Sequence, residues 1–440
     1  MTTRILFIAC LVLLSSCDTS GPAAVDHFEL DDQLERIITL DGQRKLANFI
    51  LPSSDDFNQI PQDPKNPLTS EKVLLGKLLF HDPVLSQNAI HITGKGTYSC
   101  ATCHHAEAGF GAGRQQSMGD GGSGWGDRGE ARRKAANYDI NEVDVPPLRS
   151  PSILNSAYQR VMLWSGAAGA NGPNRDTQAA WDDIGDSRVN YLGYDGVESQ
   201  AILALNTHRM DNLAGSFIAT DPTYSTLWEQ VFPNEPVSDE RVGLAIAAYE
   251  RTVIANQSPF QRWLNGESLS MNAAEKRGAM VFFGESKCAD CHTGPALNSM
   301  AFYALGMPDM QGPGVLRPPI DSKGRGDFLR SAEDVYTFKV PQLYNMTDSP
   351  FLGHGGTFSS VREVVDYYAS GIPDRNLPPG TITDQFHPLS LTAQEVTDLT
   401  AFLSNALRDP NLMRYQPTEV PSGGCIPAND AQARIDLGCR

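Results

Sequence analysis

Apolar positions along the chain recur with helical spacing, and no segment keeps the two-residue alternation of a half-buried strand. Glu71 to Phe80, with Val73, Leu74, Leu78 and Leu79 apolar, predicts a helix. Ser238 to Asn256 predicts an amphipathic helix, and Asn272 to Phe283 another in the second half. Two capping boxes mark later helices. Ser360-x-x-Glu363 opens one that Gly371 closes; Thr392-x-x-Glu395 opens one with Val396, Leu399, Phe402, Leu403 and Leu407 on its buried face. On the first of these, Val361, Val364, Val365 and Tyr368 fall at i, i+3, i+4 and i+7, a single apolar stripe, with Tyr367 off it. Gly111 to Arg132 and Gly166 to Gly196 are rich in Gly and charge and read as irregular, the former as a loop or flexible flap. Residues 18–65 are polar and Pro-punctuated, a tether followed by an irregular lead-in.

Two Cys-x-x-Cys-His pentads sit in this mostly α pattern, Cys100-Ala-Thr-Cys103-His104 and Cys288-Ala-Asp-Cys291-His292. The pentad marks c-type haem attachment: two thiols add across the vinyl groups and the adjacent His gives iron an axial nitrogen. With 8 Cys and 9 His in 440 residues, one chance pentad is expected roughly 0.003 times. A four-thiolate zinc site is the alternative, but it leaves the His after each second Cys without a reason. A chain of 440 residues exceeds the size at which one core stops growing. One pentad per half therefore predicts two cytochrome c-like domains, each wrapped round one covalent haem, over 66–257 and 258–410, with a tail at 411–440.

The formal charge of −17 argues against nucleic acid and anionic lipid surfaces. It favours a cationic partner drawn in by attraction that salt screens. Residues 1–17 read as an export leader: a basic Met1–Arg4, an apolar Ile5–Leu14 too short to span a bilayer, then Leu14-Ser-Ser-Cys17. That ending resembles a bacterial lipobox, which would make Cys17 the lipidated N-terminus of a periplasmic lipoprotein; an ordinary signal peptide with an incidental Cys is the alternative. Cys10 lies in the leader, so Cys425 and Cys439 remain, as a disulfide that export permits or as two free thiols.

Several further motifs are similar to those of the bacterial di-haem cytochrome c peroxidase family, MauG-type enzymes included. Leu75-Gly-Lys-Leu-Leu-Phe80-x-Asp82, Leu85-Ser86 and the first pentad match its opening, and Arg149-Ser-Pro151-x-Ile-Leu-Asn155 resembles its Pro-containing stretch. Phe338-Lys-Val-Pro341-x-Leu343-x-Asn345, the loop residue His354 and Val364 to Tyr368 resemble its later segments, so the likeness runs from about Leu75 to Leu407.

The resemblance implies a division of labour: peroxide reacts at the haem on His104, and the haem on His292 is six-coordinate and passes electrons. Trp164, thirteen residues after Pro151, stands where the family has its relay Trp; plain core packing is the alternative. Tyr368, fourteen residues after His354, stands where peroxidases of this family place a Met ligand and MauG-type members a Tyr. A phenolate there would lower the potential and favour keeping the oxidising equivalents of peroxide on the two haems. Core packing of Tyr368, with Met307, Met310 or Met346 as ligand, is the alternative.

Residues 106–150 contain no His, so the family's blocking distal ligand is absent and the first haem is expected five-coordinate. Gln200 matches the family's distal Gln, but Arg209 stands where its Glu falls. His208 and Arg209 are therefore the candidates for acid–base work and for stabilising the departing hydroxide, with a structural or ligating His208 and a surface Arg209 as alternatives. The family's inter-domain calcium uses an Asn where this chain has Arg149 or Ser150, which leaves calcium open. His27, His81, His91, His105 and His387 read as solvated or structural. The expected function is reduction of hydrogen peroxide, with a small cytochrome or copper protein as donor. The alternatives are MauG-like modification of a protein substrate and, from another class, non-enzymatic electron transfer.

Overall fold

The structure, a computed structural model, describes residues 27–40, 42, 44–182, 185–210, 215–319 and 321–439. The leader, with Cys10 and Cys17, lies outside the described residues. The fold is predominantly helical. Its only strands among the described residues are two short antiparallel pairs, Gly122–Ser123 with Arg133–Lys134 and Phe302–Tyr303 with Phe338–Lys339.

Two helix clusters carry the fold. In the first, Asp239–Thr252 packs against Ser70–His81 and Gly196–Thr207. The sequence pattern predicts an amphipathic helix here, but every residue from Val242 to Thr252 is buried. It is the centre of the cluster and has no solvent face over that stretch. In the second, Ala273–Phe283 packs against Ala393–Ala401, which Val361–Ser370 also touches. Both helices start at the expected place, with Ser360 accepting from the Glu363 amide and Thr392 from that of Glu395; the Thr392 box is reciprocal, whereas the Glu363 carboxylate accepts from Ser359 instead of from the Ser360 amide.

Each cluster has a helix that precedes a pentad and presses a glycine onto its partner's backbone. A Cβ at Gly76 would sit 1.8 Å from the Ala245 carbonyl oxygen, and one at Gly278 would sit 1.9 Å from that of Asp398. Any side chain would force these axes apart. A buried ion pair adds to the first cluster: Arg251 Nη2 lies 2.6 Å from Glu198 Oε2, with both side chains sealed from solvent. Such a pair specifies more than it stabilises, because desolvation offsets much of the attraction.

Two stretches depart from the sequence reading. Within the presumed tether, His27–Thr39 is a helix that buries Leu34 and Ile38 against Ala273–Phe283, with Asp31 2.6 Å from Lys276. Gly111 to Arg132 is irregular but not a flap: most of it is buried, with Trp125 1% and Arg132 1% exposed. The tail covers it. Cys425 and Cys439 are bonded, Asp430 Oδ2 takes Arg132 Nη1 at 2.9 Å, and the Trp125 amide donates to Asp436. The chain just before position 257, where the first half is expected to end, is buried. Val253, Ile254 and Ala255 are fully buried, and one apolar core runs through both clusters.

His81 gives this fold a measurable acid response. Its Nδ1–H donates to the Lys77 carbonyl at 2.8 Å, and burial pushes the imidazole from 6.5 down to about 4. Between those values the unfolded chain binds a proton that the folded chain refuses. This contribution is therefore complete above pH 6.5 and is lost as the pH falls toward 4, by on the order of 3 kcal/mol. In His81→Gln, the urea midpoint should fall less between pH 7 and pH 4.5 than in the wild type; equal falls would refute the assignment.

Candidate haem sites

The two pentads fold alike. Cys100–Thr102 and Cys288–Cys291 each form one helical turn, and the amides of His104 and His292 return to the carbonyls of Cys100 and Cys288. A tight loop follows each, closed by isolated bridges between His105 and Gly111 and between Thr293 and Asn298. Each loop holds one non-glycine residue in the left-handed region, Phe110 at φ 55° and Leu297 at φ 48°. Those residues turn their carbonyls onto the histidines. Nδ1–H of His104 donates to Phe110 at 3.3 Å; that of His292 donates to Leu297 at 2.9 Å and lies 3.1 Å from the Pro341 carbonyl.

Donation through Nδ1 leaves Nε2 as the lone-pair nitrogen, the tautomer that a metal-ligating His needs. Burial is the main cause that pushes both imidazoles down to about 4, so both are neutral and free to ligate at physiological pH. None of the four pentad cysteines is disulfide-bonded. Among the described residues no group of three or more His, Cys, Asp or Glu is arranged to hold a bare ion. The Cys pairs are therefore not brought together as four-thiolate zinc requires.

A cavity of about 590 Å3 opens on the second pentad. Cys288, Cys291 and His292 lie on its wall, as do Val361, Val364, Val365 and Tyr368, the whole apolar stripe read from the sequence. The Tyr367 hydroxyl turns away and donates to the Leu305 carbonyl at 2.7 Å. The Tyr368 hydroxyl makes no hydrogen bond among the described residues. Burial raises its pKa first, and the nearby Cys288 and Cys291 raise it further. Met307 and Met346 also line the cavity, whereas Met310 is buried outside it. The size and largely apolar wall suit a cofactor. Ligation-ready His292, unbridged thiols and an unpaired phenol make the residues present fit a covalent haem.

Trp164 stands on the same wall. Its Nε1–H donates to the Arg149 carbonyl at 2.7 Å and its ring meets His354 edge-on at 6.2 Å, while its own carbonyl accepts from the Lys339 amide. It joins the stretch after the first pentad to strands of the second cluster.

Beside the first pentad the chain turns sharply after the helix Gly196–Thr207. His208 caps that helix and Arg209 takes a left-handed conformation, φ 55°. The fully buried Tyr98, two residues before Cys100, donates its hydroxyl to the His208 carbonyl at 2.9 Å. The turn is thereby tied to the pentad, near enough for the charge of His208 to depress the His104 ring further. Nδ1 of His208 pairs with Asp144 Oδ2 at 2.9 Å. Gln200 Oε1 is buried without a partner.

Arg209 is engaged differently from the expectation. Its Nη1 binds the buried Asp120 carboxylate and the Glu142 carbonyl, both at 2.7 Å. A guanidinium already paired with a carboxylate stabilises an anion less than a free one, so its role narrows to holding the turn that carries His208. Asp144 escaped the sequence reading. It stands 64 residues before His208, and no local pattern links the two.

Comparison with known proteins agrees with this geometry. Residues 70–269 match the family described as di-haem cytochrome c peroxidase. Over those residues the chain is similar to that family. It is 28% identical over 373 residues to the methylamine utilization protein MauG of Methylorubrum extorquens, covering 83% of this chain and 84% of that protein. To the cytochrome c551 peroxidase of Pseudomonas aeruginosa it is 24% identical over 318 residues, 72% of this chain and 77% of that one. Among solved structures, a MauG-like protein associated with microbial copper homeostasis is similar at a TM-score of 0.58 and 26% identity, covering 83% of this chain and 97% of that one. Among the described residues, no helix of the chain is long and apolar enough to cross a membrane.

Proposed function

We propose that the chain is an exported, lipid-anchored di-haem peroxidase that reduces hydrogen peroxide to water in the periplasm. His104 and His292 would each give an axial nitrogen to a haem held through Cys100 and Cys103 or through Cys288 and Cys291. Bound haem iron supplies the redox chemistry, two electrons per peroxide.

The observation that carries the reading is the His208–Asp144 pair beside His104. Asp144 pairs with Nδ1 of His208 and orients the ring, and an imidazole so backed serves as base for the first peroxide proton and then as acid for the departing oxygen. Gln200 offers a polar group without a competing partner. Trp164 bridges the two sites as the electron route, and the negative surface suits a small cationic redox protein as donor. Steady consumption of peroxide by the haem-loaded protein with a reduced small cytochrome or copper protein tests this. Ready donor oxidation without peroxide turnover would leave an electron-transfer cytochrome.

A second reading, a MauG-like oxidase of a protein substrate, rests on Tyr368. A phenol without a partner in the cavity of His292 suits a low-potential second haem, poorly matched to ordinary cytochromes.

A further inference from the structure

Two buried cations on the inner wall of the His292 cavity have no acid to pair with. Lys339 is 6% exposed and its ammonium donates only to the Gln159 side chain. Arg149 is 7% exposed; its guanidinium reaches Ser349 Oγ at 2.6 Å and, weakly at 3.4 Å, the carbonyls of Ala112 and Ser150, while Nε has no partner. No carboxylate lies within ion-pair distance of either side chain among the described residues. Burial alone shifts both groups down, Lys339 to about 7 and Arg149 to about 10, with no charged neighbour offsetting it. The carboxylates on the cavity wall, Glu285, Asp290 and Asp384, are solvent-exposed. The site thus carries these two cations at its buried floor, while its exposed edge mixes those three acids with Lys287.

Buried, unpaired charges are costly, and a chain retains two on one wall when an incoming anion completes them. The haem implied by the second pentad carries two carboxylates on an apolar ring, which matches an apolar cavity with a cationic floor. We infer that Lys339 and Arg149 form an anion-binding floor that receives the carboxylates of the haem on His292 and holds that edge inward, against Trp164. Gln159 positions the Lys339 ammonium and Ser349 the Arg149 guanidinium. Because Arg149 precedes Pro151 in the first half and Ser349 lies in the second, the seated haem also ties the two helix clusters together. Two positive charges at this edge raise the reduction potential of that haem and oppose the lowering expected from Tyr368.

The inference rests on the haem reading of the pentads, and the test separates the two. Haem content of the purified holoprotein reports the reading: a wild type without two covalent haems sinks both. Equilibrium redox titration, followed by the absorption of each haem, reports the floor. In Lys339→Gln, which keeps a hydrogen-bonding group, both haems should stay attached while the midpoint potential of one haem falls. Lys339→Arg should restore it, and Arg149→Gln should lower the same haem. Potentials unchanged in both Gln variants with two haems attached would overturn the floor, as would a fall that Lys339→Arg fails to reverse.

Discussion

Replacing His208 by Ala should cut peroxide consumption by about 10²–10⁴-fold, the usual range for a lost acid–base group, while both haems stay attached. The first pentad does not depend on the imidazole: Tyr98 holds the His208 carbonyl, which Ala retains. What disappears is the imidazole that Asp144 orients beside His104. Asp144→Asn should cost less than His208→Ala, because it removes only the partner that orients the ring and stabilises its cation. A merely structural His208 would show a lower melting temperature with unchanged turnover of the molecules still folded. Peroxide consumption within threefold of wild type would exclude the acid–base role.

Tyr368→Phe should remove the six-coordinate absorption signature of the second haem and raise its potential. The phenol shares its cavity with His292 and its oxygen makes no hydrogen bond among the described residues, so it is available to a nearby ferric ion. Ligation by an anionic oxygen favours the oxidised metal; its loss favours the reduced one. Phe keeps the ring that packs near Tyr367 and Phe386, so the helix should stay folded. Met307 and Met346 line the same cavity, and capture of the ligand position by either would appear as a new sulfur-ligated signature with a higher potential. An unchanged spectrum in Tyr368→Phe would exclude ligation by the tyrosine.

Much of the second site was legible because its signals are local. The stripe Val361, Val364, Val365 and Tyr368 needs only the 3.6-residue repeat, and it faces the cavity as that repeat requires. The first site was less legible. His208 could be named from its place on a helix, but Asp144 and Tyr98 reach it, and Asp120 reaches Arg209, from distant segments without periodicity. The same stretch misled the reading of Gly111 to Arg132. Its glycines report tight backbone approaches beneath the tail, as at Gly113, where a Cβ would sit 1.7 Å from the Arg128 carbonyl oxygen. The helix His27–Thr39 was hidden by its low overall hydrophobicity; only Leu34 and Ile38 are fully buried, and their value depends on the partner helix.

By itself the sequence determined the helical class, the two pentads with their thiols and histidines, the helix starts at Ser360 and Thr392 and the face on which Tyr368 lies. Each of these is set within about one or two helical turns, where spacing fixes geometry. Tertiary structure alone decided which histidine nitrogen is left for iron, that Asp144 backs His208, that Arg209 is taken by Asp120, and that Lys339 and Arg149 stand unpaired in one cavity. The reason is physical: tautomer, ion pairing and desolvation depend on what surrounds a group in space, and those neighbours come from parts of the chain that no local pattern connects.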